Sequence, residues 1–166
     1  MRRLLGAGLL VAAVLVQVTW APRLEVAGAF PNLALLAVIG VTWTTGVRAG
    51  LLWACVAGVL LDLTAPGPLG PHALALLAGA YLTGFWTRNL DRESPVHPAL
   101  SAALSTALYS FILIGVDDTL GLPVPPLGVA LQLAIAASVY NALLMPAALL
   151  LIRRLQAPIA GGVESA

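Results

Sequence analysis

Residues 33–63 read LALLAVIGVTWTTGVRAGLLWACVAGVLLDL, an apolar run broken once, at Thr42-Trp43-Thr44-Thr45-Gly46-Val47-Arg48. Small polar residues, a glycine and the first charge of the run gather at that point, which marks a tight turn between two helices. The arms of this hairpin are short. A helix over residues 31–45 would span about 22 Å at 1.5 Å per residue, against roughly 30 Å of hydrocarbon in a bilayer. The second arm, residues 47–63, is slightly longer. The pair therefore either just crosses a locally thinned bilayer or is partly re-entrant, and mismatch of this size costs only fractions of a kcal/mol per Å.

Working outward, residues 4–20 form an apolar run behind Met1-Arg2-Arg3. Further apolar spans follow it and no small-x-small cleavage site precedes a soluble domain, so it reads as a first transmembrane helix and not as a cleaved signal peptide. Trp20 is expected at the interface, and Pro22 and Pro31 bracket a short loop. On the other side, Thr64-Ala65-Pro66-Gly67-Pro68-Leu69-Gly70-Pro71 is a turn-rich loop. Helices are predicted over 72–88, over 98–116 with Pro98 opening it and Asp117-Asp118 at its exit, and over 127–154 with a kink at Pro146. Residues 155–166 read as a short disordered cytoplasmic tail. The fold class that follows is an all-α integral membrane protein, one six-transmembrane-helix bundle over residues 1–154.

Composition agrees with this reading. The chain has 166 residues, 60% of them apolar and 9% charged, and a mean hydropathy of +0.99. About a quarter of a soluble domain is charged. Six spans would take about 120 residues, which leaves no room for a soluble catalytic domain. A net charge of +1 provides no basic patch for nucleic acid. The single cysteine, Cys55, gives no disulfide framework or paired metal-ligand spacing and reads as a small packed side chain. With the N-terminus inside, Arg2, Arg3, Arg48, Arg88, Arg92, Arg153 and Arg154 all fall on the cytoplasmic side and only Arg23 outside. The positive-inside rule therefore predicts an N-in, C-in protein, with Asp62, Asp117 and Asp118 at the outer face.

The residues with most to say lie on the second arm of the hairpin. Gly46, Gly50, Ala54 and Gly58 recur every four residues and Asp62 continues the row. Small residues on such a ridge let another backbone approach closely, as helices in lipid require. The neighbour is either another helix of the same bundle, the preferred reading, or a helix of a partner protein. Asp62, flanked by leucines at a helix end, must find donors or water. The preferred role is to accept hydrogen bonds from backbone N–H groups of the Pro/Gly loop that follows, with a partner contact or ion coupling as the alternatives. His72 beside Asp62 supplies too few ligands for zinc. His97 is expected to face solvent. Asn141, next to Tyr140, is expected to bond across to another helix. Ser101, Ser105, Thr106 and Ser110 line the fifth helix, yet no intramembrane histidine is at hand to activate a nucleophile, so no catalytic, cofactor or metal site is expected.

A set of motifs carries a family resemblance. They are Pro31-Asn32-Leu33, the Gly46 to Gly50 hairpin, Gly58-Val59-Leu60-Leu61-Asp62-Leu63, Leu69-Gly70-Pro71-His72-Ala73-Leu74 and Gly79-Ala80-Tyr81-Leu82-Thr83-Gly84. This block resembles the rod shape-determining MreD family, and chain length and expected span number are similar as well. Family members often carry an acid after the opening proline, where this chain has Asn32. The resemblance implies a non-enzymatic scaffold in the inner membrane of a bacterium, part of the elongation or rod complex. Its implied partners are the bitopic protein MreC, the RodA and class B penicillin-binding protein synthase pair and, indirectly, the actin-like MreB. A homodimer and a lipid or peptidoglycan precursor in a cleft stay open. It adds Gly70, Tyr81 and Gly84 to the ridge as candidate partner-binding or helix-packing positions. Members are also similar in fold to the substrate-binding S-components of energy-coupling-factor vitamin transporters. That similarity supplies the alternative, a small-molecule-binding transporter subunit, for which Gly8 and Ala12 form a weak small-residue stripe and the outer loops lack dense polar ligands.

Overall fold

The computed structural model of the chain describes residues 12–19, 23, 28, 30–89, 94 and 96–156. Over these it is all-α: a helical segment over residues 12–19 (α1), then Leu33–Thr45 (α2), Val47–Thr64 (α3), Pro71–Asn89 (α4), Val96–Thr119 (α5) and Leu127–Gln156 (α6). The remainder of the expected first helix with Gly8, the interface residue Trp20, Pro22, the basic residues Arg2, Arg3 and Arg92, and residues 157–166 lie outside the described residues.

α2 is the centre of the bundle and contacts α3, α4, α5 and α6. Its sequence is apolar all round, the signature of a buried helix, and Leu35, Leu36, Val38 and Ile39 are fully enclosed. It starts at Leu33 and not at Pro31, because Asn32 is its N-cap and accepts from the Leu35 N–H at 2.9 Å. At 13 residues it is about 20 Å long. The turn into α3 is narrower than the polar cluster suggests. Thr42, Thr44 and Thr45 stay helical and return their hydroxyls to the Val38, Gly40 and Val41 carbonyls. Gly46 alone makes the joint, at φ +99°, a conformation that only glycine adopts without strain. Its N–H goes to the Thr42 carbonyl and its carbonyl accepts from Gly50.

α3 packs along α4, α4 along α5 and α5 along α6. The outer surface is apolar: Leu52 and Leu63 on α3, Leu74 and Phe85 on α4, and Leu127, Ile135 and Leu143 on α6 are all more than half exposed. A surface of this kind requires a hydrocarbon surrounding. Among the described residues, α3, α5 and α6 are long and apolar enough to cross a membrane, and α2 is apolar but shorter. The chain is a multi-pass membrane protein.

Four local expectations are corrected. Cys55 is exposed on the outward face of α3, in the stripe of Leu52, Val56 and Val59, and is not a packed side chain. α5 begins at Val96, so Pro98 lies within its first turn, where no helical N–H is needed. α5 also continues through Asp117-Asp118 to Thr119, and their carbonyls accept from Leu120, Gly121 and Leu122 as the helix closes. α6 runs on past 154 to Gln156, whose Nε2 reaches the Thr44 hydroxyl at 3.3 Å and ties the end of α6 to α2.

Candidate functional site

The loop between α3 and α4 is organised by one carboxylate. The first turn of any helix leaves N–H groups without helical partners. In α4 the first residue, Pro71, has no N–H, and Leu74 donates to the Gly70 carbonyl at 2.8 Å. The remaining donors all go to Asp62: Gly70 N–H at 2.9 Å, His72 N–H at 2.9 Å and Ala73 N–H at 3.2 Å. The last turn of α3 thus supplies the cap of α4, and negative charge at a helix N-terminus is favoured by the helix dipole. Gly70 takes φ +123°, again a glycine conformation, to aim its N–H at the carboxylate. Asp62 is 2% exposed, and His72 Nδ1 lies 2.8 Å from its Oδ1.

From His72 the polar contacts continue across the bundle. The His72 ring meets the edge of Tyr109 on α5, with centroids 6.1 Å apart at 63°. Tyr109 and Asn32 line the same cavity between α5 and the start of α2. The Asn32 N–H donates to Asn141 Oδ1 on α6 at 2.9 Å, and Asn141 Nδ2 donates to the Thr106 hydroxyl on α5 at 3.0 Å. Asn141 and Thr106 are buried. One chain of contacts therefore links α3, α4, α5, α2 and α6 near the end of the bundle where α2 and α4 begin. In an apolar surrounding such a network specifies one arrangement of helices, since leaving any member unpaired is costly. Asn141→Leu is expected to lower stability by about 1–2 kcal/mol. Denaturation of the purified variant in mild detergent measures it.

The small-residue ridge of α3 is divided between two neighbours. A Cβ on Gly50 would collide with the Thr42 side chain of α2, and one on Gly58 would collide with the backbone of Ala73 in α4. Ala54 between them is fully buried. Gly84 near the far end of α4 faces the Val47 side chain, so α3 and α4 are pressed together at both ends. Gly46 makes the joint, and Asp62 and Gly70 make the cap. Tyr81 is different: it lies midway along α4, 68% exposed, and its hydroxyl has no partner among the described residues. On α4 and α5, Ser105 bonds the Gly79 carbonyl at 3.3 Å and lies 3.4 Å from the Thr83 hydroxyl.

Sequence reasoning missed Asn32 and Tyr109 as network members and read His72 only as a metal candidate. An amide beside a proline at a helix start is a capping signal. Nothing in the local pattern announces its bond to Asn141. Among the described residues no three His, Cys, Asp or Glu come together to hold a metal ion.

No curated protein and no solved structure matches the chain. The family model for rod shape-determining protein MreD matches residues 2–155, nearly the whole sequence. An apolar helical bundle whose buried polar groups cap and cross-link its own helices agrees with that match, and the chain belongs to the MreD family of non-catalytic, rod shape-determining membrane proteins.

Proposed function

We propose that this chain is a six-span scaffold of the bacterial inner membrane, with both termini cytoplasmic, that binds MreC. Through MreC it helps couple MreB filaments to the RodA and class B penicillin-binding protein pair during wall elongation. The observation that carries this reading is the family match over residues 2–155. The arginine distribution supports the orientation. For the contact with MreC, Tyr81 is the candidate, since its hydroxyl has no partner among the described residues. A phenol facing hydrocarbon lacks an acceptor that a neighbouring helix can offer, and with Leu74 and Phe85 it forms one outward face of α4.

Purification of the tagged protein from its native membrane in mild detergent, with mass-spectrometric identification of what stays bound, tests the proposal. Recovery of a single-span periplasmic protein together with wall synthases is expected. Recovery of paired ATPases with a coupling subunit would replace the scaffold by the transporter reading. Tyr81→Ala is expected to reduce MreC recovery at least about tenfold, as for a buried aromatic anchor, with the thermal stability of the isolated protein unchanged. Unaltered recovery would remove this face of α4 from the interface.

A further inference from the structure

α5, α6 and the start of α2 enclose a cavity of about 280 Å³. Its wall on α6 is made by Ala130, Ala134 and Ala137, which share one helical face with Asn141 below them. Leu113 and Ile114 of α5 stand opposite, and Phe30 and Pro125 form an exposed rim. Among the described residues, no charged one lines it. Of the polar residues that line it, Asn32, Thr106 and Asn141 are bonded to one another and Ser110 donates to the Thr106 carbonyl, so these four hold the helices; Tyr109 adds the edge of an aromatic ring.

We propose that this cavity holds the end of one acyl chain of a membrane phospholipid. The volume is nearly twice the roughly 150 Å³ that takes a benzene ring, and most of the lining is apolar. Left empty, its lining would forfeit dispersion contacts on one side. The same turns of α6 expose Leu127, Leu131 and Ile135 outward, so acyl chains already surround the cavity wall and enter without leaving hydrocarbon. A polar metabolite would have to give up its hydration to groups that are already paired. The inference rests on the membrane setting and the cavity, and MreC enters it only as a competitor for the same space.

The wild-type protein in phosphatidylethanolamine vesicles, containing a phospholipid with a diazirine at the end of one acyl chain, provides the first test. Photolysis and peptide mapping should mark residues 109–114 and 130–137 at least several-fold above Leu52 and Leu63, which are exposed on α3. Equal or weaker labelling there overturns the proposal. Native mass spectrometry from mild detergent should also show one phospholipid retained per chain. A detergent or fatty-acid adduct, a different small molecule, or no adduct counts against it. Ala134→Phe, which fills the cavity, should reduce both signals at least tenfold, whereas Ile135→Phe, of equal bulk on the outward face, should leave them unchanged. Should Ala134→Phe fail to fold, Ala137→Leu serves in its place and the wild-type labelling still decides. Occupation by an apolar side chain of MreC would appear as loss of labelling when MreC is added, with labelling intact without it, and would make the lipid a placeholder and overturn its role in the assembled complex.

Discussion

Gly58→Ala is expected to destabilise the protein by about 2–3 kcal/mol, the upper part of the usual range for overpacking. The added methyl has no room, because a Cβ at this position runs into the Ala73 backbone and not into a side chain that could turn away. Either α3 and α4 separate or α4 shifts along its axis, and a shift carries the Gly70, His72 and Ala73 donors off Asp62. The midpoint of thermal unfolding in detergent should fall by roughly 5–10 °C, and Gly58→Leu should fail to yield monodisperse protein. Gly115→Ala is the matched control. It lies inside α5 with open space around it, so the same change should be neutral or add up to about 1 kcal/mol from helix propensity. Equal stability of Gly58→Ala and wild type would show that the α3–α4 seam is not closely packed there.

Asp62→Ala is expected to cost about 3–5 kcal/mol. It leaves three backbone donors of the α4 start without an acceptor in a buried place, each worth about 1–3 kcal/mol when orphaned. It also removes the negative charge that complements the positive end of the α4 dipole. Asp62→Asn keeps one accepting oxygen and turns an NH₂ toward donors, so it should recover only a minority of the loss. His72→Phe removes a single side-chain bond and should cost about 1 kcal/mol. Limited proteolysis at residues 65–70 follows the local effect: cleavage should accelerate strongly in Asp62→Ala and little in His72→Phe. Similar proteolysis of Asp62→Ala and wild type would mean that the loop is held by something else.

The hairpin at residues 33–63 was legible because two apolar arms and a glycine admit few arrangements. Its detail was less so. The threonines, which read as a turn in sequence, are satisfied inside α2, since a helix in an apolar surrounding can return a hydroxyl to its own carbonyls. The Asp62 cap could be anticipated, because an acid among leucines must find donors and the Pro/Gly loop beyond it has them. The ridge through Gly50 and Gly58 identified a face without identifying its partners. α3 lies between α2 and α4, and periodicity along one helix carries no information about which neighbour occupies each turn. Cys55 was misplaced for the same reason: in a lipid-facing helix both the inner and outer faces are apolar, so hydropathy does not say which is buried. The bond between Asn32 and Asn141 joins positions 109 residues apart and exists only once the helices have assembled.

The one-residue joint at Gly46 has a bearing on where the chain can be interrupted. At about 20 Å, α2 is shorter than the roughly 30 Å of hydrocarbon, and its one-residue joint leaves no slack between it and α3. The two pack as one hairpin whose tip is a single glycine. Epitope tags or protease sites placed between residues 45 and 47 should part α2 from α3 and destabilise the bundle, whereas the same insertions between residues 65 and 70 interrupt a real loop.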